Sequence, residues 1–161
     1  MANLIESWPL IVGIIYLAVC GACQFAWDRV PNALTFAALV GGLLVSALVQ
    51  WGMVAGGGGL AASFIAGFVG FIVLLGLYTT GTLGAGCVKC QATFGVWLGC
   101  TFAVGTAAQL MLVGSIIAVV VTYGLGWIWS KLDETAKLFP AQLTISLASI
   151  ATVLFATAMR G

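Results

Sequence analysis

Cysteines are the residues in this chain with the greatest capacity for chemistry. Four of the five form two C-x-x-C pairs, Cys20 with Cys23 and Cys87 with Cys90. Residues three apart share a face of an α-helix, so each pair can present two sulfurs in one direction. Soft thiolate ligands select zinc, iron or iron–sulfur clusters. The alternative is that each cysteine is a small apolar residue suited to helix packing, which is how we interpret Cys100.

Other reactive side chains are scarce. The chain has no histidine, which removes the commonest general base and the commonest metal ligand. Only four acidic and five basic residues occur among 161, and the formal net charge is +1. Because these charges are scattered and form no basic stripe, nucleic acid is not an expected partner.

Composition places these cysteines inside a membrane. Hydrophobic residues make up 63% of the chain and charged residues 6%, which is far too apolar for a soluble domain. A membrane-spanning helix needs roughly 20 apolar residues, so the length allows about six spans joined by short loops. Residues 1–161 are therefore expected to form one transmembrane domain in contact with membrane lipid.

Apolar runs and the breakers between them predict an all-α, polytopic membrane bundle of about six transmembrane helices. Strands of a membrane barrel would be about half as long and would alternate polar with apolar residues. The predicted spans are Trp8 to Trp27, Ala33 to Val54, Leu60 to Thr79, Val88 to Gly105, Gln109 to Trp129 and Gln142 to Ala158.

The cations predict an orientation. Arg29, Lys89, Lys131 and Lys137 fall at the ends of spans one, three and five, which lie on one side of the membrane. Because positive residues accumulate in cytoplasmic loops, this side is expected to be cytoplasmic. Only Arg160 falls on the opposite side, so we expect a multi-pass protein of the inner (cytoplasmic) membrane with both termini extracytoplasmic.

Two motifs resemble those of a known family. The run Trp27-Asp28-Arg29-Val30-Pro31-Asn32 after the first span resembles the Ile-Pro-Asn element of the prepilin peptidases, especially the short Tad-type enzymes. The run Gly84-Ala85-Gly86-Cys87-Val88-Lys89 is similar to their Gly-x-Gly-Asp-x-Lys motif, with Cys in place of the Asp. Motif order, spacing and number of spans agree over nearly the whole chain.

This resemblance implies a site whose catalytic acids are missing. In the family, two membrane Asp residues form a dyad that cleaves the leader of type IV pilin precursors. The first acid corresponds to Gln24 and the second to Cys87. Neither an amide nor a thiol reproduces the acid and base work of a carboxylate pair. Asp28 lies one helical turn beyond Gln24 and could substitute for it, but it would still lack a partner.

The resemblance also implies that the two C-x-x-C pairs face each other, because they flank the two vacated acid positions. A tetrathiolate site for zinc or an iron–sulfur cluster is then expected from Cys20, Cys23, Cys87 and Cys90. Its negative charge would need neighbouring cations, and Arg29 and Lys89 are placed to supply them, with Asp28 beside Arg29. A dithiol redox site or a soft-metal transport site would use the same residues.

Three functions remain open from the sequence. The first is a non-proteolytic pseudoenzyme with the four-cysteine site, acting as a subunit of a larger membrane complex. The second is a divergent aspartic-type prepilin endopeptidase that uses Asp28 or an unusual mechanism at Cys87. The third is a structural membrane scaffold or chaperone that holds pilin-like or other transmembrane segments. Whether the protein is an enzyme is therefore open at this point.

Overall fold

The computed structural model describes residues 8–27, 29–79, 83–132 and 141–158. These residues form six α-helices and no strands, as the apolar pattern predicts for an all-α protein. The helices are α1 (Trp8–Trp27), α2 (Asn32–Gln50), α3 (Leu60–Thr79), α4 (Ala85–Thr101), α5 (Val104–Leu132) and α6 (Ala141–Ala158).

Helix bounds follow the predicted spans closely, with differences that have local causes. The ranges of α1 and α3 are those predicted. Helix α2 ends at Gln50, earlier than the predicted Val54, because Gly52 adopts a positive φ of 71° that turns the chain out of the helix. Helix α4 ends at Thr101, since Phe102 is extended with φ of −115° and ψ of 147°.

Four helices are long and apolar enough to cross a membrane: α1, α2, α3 and the Val104–Leu125 part of α5. Helix α6 contains a shorter apolar stretch, Thr144–Phe155. These apolar helices indicate a multi-pass membrane protein. Six crossings and the orientation of the termini stay predictions.

Helix α4 occupies the centre of the bundle. It is the least apolar of the six helices, yet nearly all of its residues from Cys87 to Cys100 are buried. It contacts every other helix. Most candidate site residues on α4 therefore lie inside protein rather than in lipid.

Small residues allow the closest helix approaches. A Cβ added to Gly95 would lie 2.5 Å from the carbonyl oxygen of Ala66, and a Cβ added to Gly99 would lie 2.3 Å from the Cα of Ser63. These contacts join α3 to α4. On the other side, the Trp97 Nε1–H of α4 donates to the Ala38 carbonyl of α2 at 3.0 Å.

The glycine run between α2 and α3 is bound to the end of α4. The Gly57 amide donates to the Thr101 carbonyl and the Gly59 amide to the Gly99 carbonyl, both at 3.1 Å. These bonds satisfy carbonyls that the last turn of a helix leaves without intrahelical partners. A Cβ at Gly58 would collide with the Gly99 carbonyl, so only glycine permits this approach.

Candidate functional site

One thiol from each C-x-x-C pair meets in the interior of the bundle. Cys20 of α1 and Cys90 of α4 are both 0% exposed. They form one buried cluster with Tyr16, and half-buried apolar side chains of α2 and the preceding segment pack around it. The two thiols belong to the same buried cluster, and both are free. Two helices distant in the chain thus bring one member of each pair together.

The Tyr16 hydroxyl is the unusual member of this cluster. It stands one helical turn before Cys20 and lies close to both thiols. Among the described residues, however, none completes a hydrogen bond of good geometry with its buried oxygen. A buried hydroxyl without a partner is costly, because it has lost its water. This hydroxyl lies beside two free thiols and can still form a hydrogen bond with a bound ligand.

The other two predicted ligands lie apart from this pair. Cys87, in the first turn of α4, is 5% exposed and packs in a separate apolar cluster with Leu74, Leu83 and Ile145. Cys23 is half-buried near the end of α1. Over the described ranges, no three His, Cys, Asp or Glu side chains are placed so that they could hold a metal ion. The structure assembles two thiols, half of the donors of a structural zinc site, and the four-cysteine metal site stays a prediction.

The two positions that the predicted resemblance assigns to catalytic acids differ in environment. Gln24 is half-buried near the end of α1, whereas Cys87 is enclosed by aliphatic side chains. A thiol is compatible with such surroundings because it behaves as a small hydrophobe. A carboxylate there would lose its hydration without a compensating partner. The surroundings of Cys87 therefore suit packing and disfavour aspartic-type acid and base chemistry.

The predicted supporting cations lie at the end of the bundle where α2 and α4 begin. The Lys89 ammonium donates to the Asn32 Oδ1 of α2 at 3.2 Å, and Lys89 is exposed. Arg29 is also exposed and lines a surface recess together with Asn32 and Trp27. Asp28 lies outside the described residues. Both cations are at the surface of the bundle.

Sequence reasoning missed a buried amide on α4. The Gln91 Nε2 donates to Ser115 Oγ of α5 at 3.2 Å and to Ser149 Oγ of α6 at 2.9 Å. All three side chains are almost completely buried. A glutamine and two serines within apolar helices were the available signal, because a polar side chain at such depth needs a partner on a neighbouring helix. Which serines it would meet depends on helix packing that the spacing does not contain.

Cys100 has a packing role that agrees with its interpretation from the sequence. Its thiol donates to the carbonyl of Gly42 on α2 and that of Val96 within α4, with both distances 3.4 Å. The Ser63 hydroxyl of α3 lies 3.7 Å away and donates to the Val96 carbonyl at 2.9 Å. Three helices are thus joined by short polar contacts, with no second free thiol in this group.

Comparison with family models, curated proteins and solved structures found no match to the chain.

Proposed function

We propose that this chain is a non-proteolytic membrane protein similar in organisation to the prepilin peptidases. The observation that carries the proposal is the enclosure of Cys87 by Leu74, Leu83 and Ile145. The resemblance places a catalytic Asp at this position, and aspartic peptidase chemistry needs two acids that share a water. A buried thiol in an aliphatic cluster supplies neither the acid nor the water.

The test of this proposal is cleavage of a pilin precursor. The chain is co-expressed with the precursor beside an active prepilin peptidase as the positive control, and the leader is followed by a mobility shift and mass measurement. We expect no cleavage by the chain. Cleavage that is lost in a Cys87→Ala variant would overturn the proposal and support the divergent endopeptidase instead.

The proposal includes a metal centre built on Cys20 and Cys90. Its support is that these residues come from different C-x-x-C pairs, are both free, and meet beside an unpartnered Tyr16 hydroxyl. Cys23 and Cys87 are the remaining ligands of the proposed set, and Cys87 would have to leave its separate apolar cluster to join them. Zinc in this set would clamp the two helices, and an iron–sulfur cluster would support electron transfer.

Metal analysis of anaerobically purified protein tests this centre. Iron, zinc and acid-labile sulfide per chain are measured together with an absorption spectrum, in the wild type and in Cys20→Ala and Cys90→Ala variants. Cys100→Ala is the matched control, because this cysteine is equally buried but lies in another group of contacts. We expect metal in the wild type and in the control, and its loss in both test variants. A wild-type protein without metal would indicate that all four cysteines are packing residues, and it would favour the scaffold function.

The role as a subunit of a larger membrane assembly is the last part of the proposal. Its support includes the short connection between α4 and α5, where only Phe102 and Ala103 separate the two helices. Many large apolar side chains on the helices are exposed, which provides surface for lipid or for other transmembrane segments. Chemical crosslinking in native membranes, followed by mass analysis, would identify neighbouring subunits. An exclusively monomeric species under those conditions would contradict this part.

A further inference from the structure

A groove opens on the outside of the bundle between α2, α3 and α4. Its volume is about 380 Å³, and its lining includes Asn32, Phe36 and Leu39 from α2, Phe71 from α3 and Lys89 from α4. Phe36 is 69% exposed and Phe71 is 37% exposed, so the groove faces the surroundings of the bundle. In a membrane protein those surroundings are lipid.

The groove is polar at one end and apolar along its length. Helices α2 and α4 run in parallel, because Asn32 contacts Lys89 near both helix starts and Gly42 contacts Cys100 near the end of α4. From Asn32 to Leu39 the groove follows α2 for about 10 Å at 1.5 Å per residue. A molecule that fits this surface has a polar head at the helix starts and a hydrocarbon tail directed into the membrane.

The positive charge at the polar end of the groove favours a molecule with an anionic head group. Lys89 has three N–H donors, and its bond to Asn32 is made to a neutral amide that leaves the positive charge intact. Helices α2 and α4 both begin here, and neither has a side-chain cap or an acidic residue in its first turn. Their N-terminal dipole ends add to the positive potential.

We propose that this groove binds an anionic phospholipid. The phosphate lies at Lys89 and the start of α2, and an acyl chain lies along Phe36, Leu39 and Phe71. This site is separate from the buried thiol pair and does not depend on the loss of proteolysis. Failure of the proposed function and failure of the lipid site are therefore distinguishable.

Native mass spectrometry of the detergent-purified full chain tests the lipid site. Phosphatidylglycerol is titrated in parallel with phosphatidylcholine of the same acyl chains. The test variants are Lys89→Gln, which removes the charge, and Leu39→Trp, which fills the apolar part. The control is Lys131→Gln, which makes the same change of charge at the end of α5, a helix none of whose described side chains lines the groove. Circular dichroism checks that each variant is folded.

We expect one phosphatidylglycerol per chain, bound more tightly than phosphatidylcholine. Lys89→Gln should weaken the binding of phosphatidylglycerol about fivefold to tenfold and remove the preference for this lipid. One cation near a membrane surface contributes about this factor to affinity. Leu39→Trp should weaken both lipids, and Lys131→Gln should leave both unchanged. Equal binding of the two lipids, equal effects of the two lysine variants, or tight binding in Leu39→Trp would each overturn the proposal. If a transmembrane peptide binds the groove and neither phospholipid does, the occupant is protein rather than lipid and the proposal also fails.

Discussion

The Gln91 side chain on α4 and the Ser149 side chain on α6 are joined by two hydrogen bonds in the bundle interior. Gln91 Nε2 donates to Ser149 Oγ at 2.9 Å, and Ser149 Oγ lies 3.3 Å from Gln91 Oε1, where it can donate in return. Ser115 of α5 accepts the other amide hydrogen at 3.2 Å. One buried amide therefore sets the positions of three helices relative to each other.

Replacing this amide should destabilise the bundle. Gln91→Leu keeps a similar volume but leaves two buried hydroxyls without their partner, and we expect a loss of about 1–2 kcal/mol in the free energy of unfolding. Ser46→Ala is the control, because the Ser46 hydroxyl is buried without a partner in the described structure and its removal should cost nothing. Denaturant unfolding in detergent provides the measurement. Equal stability of the two variants would show that the network contributes nothing.

The glycine run should tolerate no side chain at its closest point to α4. Gly58→Ala places a methyl group against the Gly99 carbonyl and should cost about 1–3 kcal/mol, the usual range for overpacking. Gly76→Ala is the matched control, since a Cβ there meets nothing within 4 Å and alanine favours a helix. Thermal unfolding in detergent compares the two. A Gly58→Ala protein as stable as the Gly76→Ala protein would contradict the packing of this loop.

The two vacated acid positions should respond differently to a carboxylate. Cys87→Asp puts a charge among aliphatic side chains and should cost at least about 2–3 kcal/mol, the scale for an Asp inside a membrane helix. Gln24→Asp changes a half-buried position and should cost much less. Yield of folded protein and its unfolding midpoint provide the measurement. A fully stable Cys87→Asp variant would indicate that the position is hydrated, and it would weaken the non-proteolytic proposal.

The thiol pair should show energetic coupling. In a double-mutant cycle, Cys20→Ala and Cys90→Ala should be non-additive by about 0.5–1 kcal/mol, because their side chains belong to one buried cluster. The same cycle with Cys20→Ala and Cys100→Ala should be additive, since Cys100 contacts Ser63 and Gly42 instead. Unfolding free energies of apo protein decide the result. Additivity in the first cycle would place the two thiols too far apart to interact.

Local pattern was enough to predict the helices. Apolar runs ended by glycine and proline predict helix positions well here, because each helix must satisfy its own backbone in lipid. The bounds of α1 and α3 needed no tertiary information. The end of α2 was missed because the turn at Gly52 interrupts an apolar run that continues beyond it.

The candidate site was only partly predictable. One member of each C-x-x-C pair, Cys20 and Cys90, lies in the same buried cluster, and the four-cysteine site stays a prediction. The position of Cys87 in a separate aliphatic cluster does not follow from spacing, because it depends on how Leu74 of α3 and Ile145 of α6 pack against α4. The groove at Lys89 combines side chains from three helices, and no pattern within one helix contains it.

The central position of α4 has a consequence for how the protein enters the membrane. This helix carries Lys89, Gln91 and Thr93 and is the least apolar of the six, so its transfer from the translocon into lipid by itself is the least favourable. Lys89 contacts Asn32 of α2, and Gln91 contacts Ser115 of α5 and Ser149 of α6, two helices that are synthesised after α4. We expect stable insertion of α4 to require these later helices, so that the centre of the bundle would be completed last.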